Sequence, residues 1–189
     1  IFYPCLSYNI DENDSDNHYN CPVVAYYAEL LEGNMDSLQK VNFLDPFLSV
    51  NNPKELSRTL FRALSAEDPT LTKREVKRAV DRGFAAYETY MASVRNAGEN
   101  ALAFAREHGK RIMILAGRPY HIDPEICHGI DRLAASLGFV VVSEDSVCHL
   151  ASKSPKVHVL NQWTYHARLY RAAEYASEHD DTELVQLVS

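Results

Sequence analysis

Two cysteines, each beside a proline at the edge of an apolar run, have surroundings that could support chemistry. Cys5 closes the segment FYPC, and Cys21 lies in NCPVV, just ahead of a predicted helix. A thiolate at a helix N-terminus is stabilised by the helix dipole and by the first N–H groups, which suits it to bind a metal or to act as a nucleophile. Free cysteines are also common as small buried apolar residues, and two thiols alone do not make a metal site. The residues leave both interpretations open.

The segment GRPYHIDPE supplies a second group of polar side chains, Arg118, His121 and Asp123. It lies between a predicted strand and a predicted helix, and ligands of open parallel sheets usually bind at that edge. Asp123 also has a purely structural explanation as the N-cap of a helix that begins at Pro124. Arg118 could equally be the partner of a carboxylate. The segment therefore predicts either a ligand site, with His121 as a contact, or an ordinary helix start.

Two further polar segments follow. SEDSVCH, residues 143–149, carries two carboxylates, a cysteine and a histidine, which could bind a metal or exchange protons, or could form a solvated loop. NQWTYHARLYR places Trp163, His166, Arg168 and Arg171 at the start of a predicted helix. Those side chains could hold an adenine or phosphate group, or could form the two faces of an amphipathic helix.

Composition and missing motifs exclude several classes of protein. The net charge of −7 argues against nucleic-acid binding, which needs a concentrated basic surface. The longest apolar runs, IMILA and FVVV, are too short to cross a membrane. The sequence has no GxxxxGK[ST], GxGxxG or GxSxG, so neither a P-loop ATPase nor an α/β-hydrolase is predicted. Four cysteines without a CxxC pair argue against a zinc ribbon and a thioredoxin motif. A core that needs no disulfide crosslinks favours a reducing cytoplasm.

The elements that must position these residues change character along the chain. Residues 1–8 predict a short strand, and Pro22 predicts a helix with Cys21 as its N-cap. Asn52 and Pro53 predict the start of a second helix. Thr72 and Glu75 form a capping box at the start of a helical pattern of about 35 residues, roughly 50 Å long, in which Gly98 predicts a bend.

From residue 111 the pattern alternates between strand and helix. RIMILAG, FVVVSED and ELVQLV predict strands and VHVL a weaker one, while residues 124–137 and 162–177 predict helices. The buried face of the first of these helices is predicted to comprise Ile126, Ile130, Leu133, Ala134 and Leu137. The fold class predicted is α/β, a parallel three-layer sheet of Rossmann or flavodoxin type. We expect one domain over residues 1–189, excised from a larger protein, with a helical insertion at residues 52–109.

Five segments together resemble one family: FYPC, NHYNCPVV, LAGRPYHIDPEICHGIDRL, GFVVVSEDSV and QWTYHARLYRAA. The chain is identified as similar to a domain of unknown function of large bacterial CoA-substrate-specific enzyme activases, relatives of the activator of 2-hydroxyacyl-CoA dehydratase. In that family the domain accompanies ATPase domains that couple ATP hydrolysis to low-potential electron transfer from an iron–sulfur cluster. The resemblance implies Cys5 and Cys21 as two cluster ligands, with a third from outside this sequence.

The leading hypothesis is therefore an iron–sulfur-associated module of an activase-related protein, without turnover of its own. Its implied partners are ATPase domains of the same chain and an acyl-CoA or dehydratase partner, with neither nucleic acid nor membrane. A second hypothesis is a module that binds a CoA thioester or small anion through Arg118, His121, Asp123 and Arg168. A third is a scaffold whose long helix supports a homodimer or docks the ATPase domains.

Overall fold

The computed structural model describes residues 1–12 and 14–188. Over those residues the chain is mixed α/β, and its named strands form two small sheets in which all pairings are parallel. The chain divides into two compact units. Unit 1 comprises Ile1–Tyr87 and Asn161–Thr164, and unit 2 comprises Glu88–Leu160 and the segment from Tyr165 onward.

Unit 1 is built around a pair of short strands and the helices that cover them. Its elements are β1 (Cys5–Tyr8), α1 (Pro22–Asn34), β2 (Phe47–Ser49), α2 (Pro53–Leu64) and the first half of α3 (Lys73–Glu107). The strand β1 pairs with β2 in parallel, with Cys5 opposite Phe47. Leu48, Leu56 and Val80 form the centre of its apolar core.

Three predicted helix starts in unit 1 are confirmed. The helix α1 begins at Pro22 with Cys21 as its N-cap, although the thiol makes no capping hydrogen bond. The Asn52 side chain accepts a hydrogen bond from the Glu55 N–H at 3.1 Å. Thr72 Oγ1 accepts from the Glu75 N–H at 3.3 Å, and the Glu75 carboxylate accepts from the Thr72 N–H at 2.9 Å, so the capping box is complete.

The long helix α3 is continuous over 35 residues and runs through Gly98, and the bend expected there stays a prediction. Gly98 has a role in packing. A Cβ at Gly98 would lie 2.3 Å from the backbone oxygen of Ser146. Only a residue without a side chain allows these two backbone segments of unit 2 to approach so closely.

Unit 2 contains the second half of α3 and an alternating series of strands and helices. Its further elements are β3 (Ile112–Ala116), α4 (Ile130–Ser136), β4 (Val140–Ser143), α5 (Glu144–Val147), α6 (Thr164–Ser177) and β5 (Thr182–Gln186). The sheet order is β4-β3-β5, with Ile112 opposite both Val140 and Thr182. Leu102 and Ala105 of α3, Ile114 of β3 and Tyr175 of α6 belong to one buried cluster. The predicted parallel β-α-β-α-β order is confirmed.

The single three-layer sheet of the prediction is not confirmed. The described strands form a two-stranded and a three-stranded sheet, because β1 pairs with β2 and not with β3, β4 or β5. Mixed α/β structure with parallel strands is the level at which prediction and structure agree.

The predicted helix start at Asp123 and Pro124 is wrong. Residues 123–129 form turns, and α4 begins six residues later, at Ile130. His128 and Gly129 have φ angles of 51° and 79°, and this left-handed backbone is incompatible with a continuous helix.

The predicted buried face of that helix is also wrong, except at Ala134. Leu133 is 60% exposed and Leu137 is 70% exposed, whereas Ala134 is buried. The helix spans only the seven residues Ile130–Ser136, so Ile126 and Leu137 of the predicted face lie outside it.

Two smaller assignments differ as well. VHVL forms no strand, and SEDSVCH is not an open loop, since it holds the end of β4, the short helix α5 and the start of a 3-10 turn. Among the described residues, no helix combines the length and apolar character that crossing a membrane requires.

Candidate functional site

The carboxyl edge of the three-stranded sheet brings together polar residues that are far apart in sequence. Leu115 of β3 lies opposite Ser143 of β4, so Arg118 and Glu144 follow their strands at the same edge. The helix α6, which leads to β5, carries Arg168 in its second turn. In parallel sheets this edge is the usual place for a ligand.

His121 is anchored against the backbone that leaves β3. Its Nδ1 accepts a hydrogen bond from the Arg118 N–H at 2.9 Å, an arrangement that places the proton of a neutral ring on Nε2. The ring packs so closely on Gly117 that a Cβ there would lie 2.4 Å from Nδ1. His121 is buried, and the glycine before Arg118 is what makes room for it.

Glu144 is a buried carboxyl group at the first position of α5. Only 5% of the residue is exposed, and burial raises its pKa to about 7, with a smaller contribution from Asp145 and partial compensation by the charge of Arg168. Ser143 Oγ donates to Asp145 Oδ1 at 2.5 Å, and Ser146 Oγ donates to the Ser143 carbonyl at 2.7 Å. These bonds and the close approach of Ser146 to Gly98 fix the turn that carries Glu144.

Arg168 and His166 complete the polar group from α6. Arg168 is 7% exposed, and its guanidinium carbon lies 5.2 Å from the centre of the Tyr165 ring, within range of a cation–π contact. Burial lowers the pKa of His166, and the positive charge of Arg118 lowers it further. Both effects disfavour the protonated form of His166.

The arrangement can bind an anion or a polarised carbonyl. Two guanidinium groups supply positive charge, and a carboxyl group that titrates near neutral pH can donate a hydrogen bond or accept one. The sequence points to Arg118, His121 and Arg168, whereas Glu144 stands out there only as part of a charged segment. Its position immediately after β4 is the signal that marks it as a candidate site residue.

Asp123 has a local structural role. Its Oδ1 accepts a hydrogen bond from the Glu125 N–H at 2.9 Å, and the residue is exposed. This bond forms the turn after the His121 segment, and a contact between Asp123 and a ligand stays a prediction.

The two cysteines of the metal hypothesis both lie in unit 1. Cys5 on β1 is fully buried, and Cys21 at the start of α1 is half-buried. Cys127 and Cys148 belong to unit 2. Over residues 1–12 and 14–188, no three His, Cys, Asp or Glu side chains are grouped so that they could hold a metal ion. The donor set described is therefore smaller than the three or four thiolates of an iron–sulfur cluster.

Aromatic residues line a small cavity next to the start of α1. Its volume is about 320 Å³, and its walls include Tyr8, Tyr19, Tyr26 and Trp163. Tyr8 donates a hydrogen bond to the Tyr19 hydroxyl at 3.2 Å, and this bond raises the pKa of Tyr8. Among the described residues, the lining of this cavity includes Pro22 at the start of α1 and no Asp, Glu, Lys or Arg side chain.

Fold and site together define an α/β protein with a polar sheet edge suited to an anionic or carbonyl ligand. Residues 1–147 match the family model described as CoA enzyme activase uncharacterised domain, and the chain belongs to that family. The match includes Cys5, Cys21, Arg118, His121 and Glu144, while Arg168 lies beyond it. Neither a curated protein nor a solved structure matches the chain.

Proposed function

We propose that this chain is a ligand-binding module of a CoA enzyme activase, and that the carboxyl edge of its β4-β3-β5 sheet binds the neutral acyl thioester end of an acyl-CoA, or a small anion. The observation that carries the proposal is the pair of buried ionisable residues at that edge, Glu144 and Arg168. Burying ionisable groups costs free energy, and proteins commonly bury such groups at sites that bind ligands.

Each residue has a distinct part in the proposed binding. Arg118 and Arg168 attract the anion, or polarise the carbonyl oxygen. Glu144, when protonated, donates a hydrogen bond to the same oxygen. His121 holds the Arg118 backbone through its Nδ1, and its Nε2–H would donate a hydrogen bond to the ligand.

The test is isothermal titration with acetyl-CoA and with S-acetyl-pantetheine, which keeps the thioester but carries no phosphate. Arg118→Ala and His121→Ala should each weaken binding of both compounds by about tenfold, because each substitution removes a charged or buried hydrogen-bonding group. Arg132→Ala is the matched control, because Arg132 is an exposed arginine of the same unit. Equal affinity of Arg118→Ala and Arg132→Ala for the pantetheine thioester would contradict the proposal.

An iron–sulfur role in low-potential electron transfer is a second proposal, favoured by the position of Cys21 at a helix start in the same unit as Cys5. Two thiols do not complete a cluster, so this role requires ligands from outside the described residues, and no electron-transfer step is derived for this chain. The test is anaerobic reconstitution with ferrous iron and sulfide. Cys21→Ser should lose bound iron and visible absorption while Cys148→Ser keeps both, and unchanged iron in Cys21→Ser would overturn the assignment.

The partners and location expected from the family stay part of the proposal. They are ATPase domains of the same chain, a dehydratase partner, a homodimer and a cytoplasmic site of action. Light scattering of the purified chain across a range of concentrations tests whether it forms a homodimer. If it does, the measured mass should double at high concentration.

A further inference from the structure

A basic cavity in unit 1 lies on the face of α2 that the core does not use. Its volume is about 890 Å³, within the range of small-molecule sites. The helix α2 turns Leu56 and Leu60 toward the apolar core. The other face carries Lys54, Arg58 and Arg62 at intervals of four residues, so that their side chains lie along one line.

The start of α3 forms the other wall. Lys73, Lys77 and Asp81 follow the same four-residue spacing and line the same cavity. Among the described residues, the lining therefore contains five cations and one anion, in a chain whose overall charge is −7. Positive charge is thus concentrated at this cavity although the chain as a whole is negative. Such a local concentration favours the binding of an anion.

The cations of the cavity differ in the ion pairs that they form with carboxylates of the described residues. Arg58 pairs with Glu55 at 3.1 Å, and Lys77 pairs with Asp81 at 2.6 Å. Among the residues that the structure describes, Lys54, Arg62 and Lys73 form no ion pair, and Lys73 Nζ lies 5.6 Å from the centre of the Phe61 ring. Phe61 and Pro53 give the cavity an apolar wall between the charged groups.

We propose that this cavity binds a small phosphorylated ligand that carries two or more negative charges and a flat or apolar group, such as a nucleoside diphosphate. Arginine forks match phosphate oxygens in pairs, lysines supply point charges, and the Phe61 wall accepts the uncharged part. The inference is independent of the proposed function, because it uses only residues of unit 1 and none of the sheet-edge residues.

The experiment is isothermal titration of the full chain with ADP, pyrophosphate and adenosine. We expect ADP to bind more tightly than pyrophosphate, adenosine not to bind at millimolar concentration, and the ADP affinity to fall as salt is raised. The double variant Arg62→Gln/Lys73→Gln should weaken ADP binding by at least about tenfold, because it removes two charge-assisted contacts.

The matched control is Arg74→Gln/Arg82→Gln, which removes the same amount of charge from exposed positions of α3 outside the cavity. It should keep the wild-type affinity for ADP within about twofold, since neither arginine lines the cavity and exposed charges are screened by salt. Equal weakening by both double variants, or no binding of ADP at millimolar concentration, would overturn the proposal. Tighter binding of hexaglutamate than of ADP would also overturn it, in favour of an acidic peptide.

The two sites can be told apart by the ligand. S-acetyl-pantetheine has no phosphate, so Arg62→Gln/Lys73→Gln should leave its affinity unchanged. Arg118→Ala should leave the affinity for ADP unchanged. The titrations can therefore contradict the sheet-edge proposal while supporting the phosphate site. They can equally contradict the phosphate site while supporting the sheet-edge proposal.

Discussion

At the scale of single residues, Glu144 makes the stability of the protein depend on pH. Its pKa rises from 4.5 to about 7 in the folded protein, mainly through burial. The folded state therefore binds more protons than the unfolded state between those pH values. The stability that protonated Glu144 contributes is fully present below pH 4.5 and is lost as the pH rises through about 7.

The substitution Glu144→Gln should remove this dependence. Between pH 4.5 and 7, wild-type stability should fall by up to about 3 kcal/mol more than that of the variant, from the size of the pKa shift. Chemical denaturation at a series of pH values measures this difference. Glu125→Gln, at an exposed position, should keep the wild-type slope. A Glu144→Gln slope equal to that of wild type would contradict the assignment.

The contact between Gly117 and His121 gives a second prediction. Gly117→Ala places a methyl group against the imidazole and should destabilise the protein by about 1–3 kcal/mol, the usual cost of overpacking. Combined with His121→Ala, the same substitution should cost much less, because the obstructing ring is gone. A double-mutant cycle measured by denaturation tests the coupling, and additive effects would show that another contact is responsible.

Part of the candidate site can be predicted from residue type and position alone. Arg118, His121 and Arg168 are ionisable residues next to predicted strand or helix ends, and that position is visible in the sequence. The burial of Glu144 is not, because it depends on the approach of Ser146 to Gly98, two residues 48 positions apart in the sequence. The turn role of Asp123 was missed because the same residue types favour N-caps and turns.

At the scale of elements, the two glycines inside α3 offer a matched comparison. A Cβ at Gly98 would lie 2.3 Å from the Ser146 backbone oxygen, whereas one at Gly83 would meet nothing within 4 Å. Gly98→Ala should destabilise the protein by about 1–3 kcal/mol through overpacking. Gly83→Ala should stabilise it by about 0.5–1 kcal/mol, because alanine is the better helix former. Thermal and chemical denaturation measure both, and destabilisation by Gly83→Ala as well would contradict the packing explanation.

Elements defined by local chemistry were predictable, and those defined by distant packing were not. The starts of α1, α2 and α3 follow from proline, asparagine and a capping box within a few residues. The late start of α4 follows from left-handed angles at His128 and Gly129, a conformation that these residue types permit but do not require. The apolar spacing of Ile130, Leu133 and Leu137 predicted burial, but spacing alone does not say whether a neighbour covers the face.

At the scale of the whole molecule, the sequence predicted parallel α/β structure but not its division into two units. Strand propensity and order are local properties, whereas the choice of pairing partners is not. The strands β1 and β2 have four and three residues and pair with each other. The central position of β3 between β4 and β5 likewise follows from pairing across long connections. Each unit therefore has its own sheet and its own buried cluster.

Separate cores predict separate responses to core substitutions. Leu56 belongs to the cluster of unit 1, and Ile114 to that of unit 2. Leu56→Ala and Ile114→Ala should each cost about 2–5 kcal/mol in the unit that contains them, since each leaves a cavity. Native-state hydrogen exchange should then show faster exchange of β1 and β2 amides in Leu56→Ala, and of β3, β4 and β5 amides in Ile114→Ala. The two variants control for each other, and acceleration of all five strands by either one would mean that the two cores unfold as a single cooperative unit.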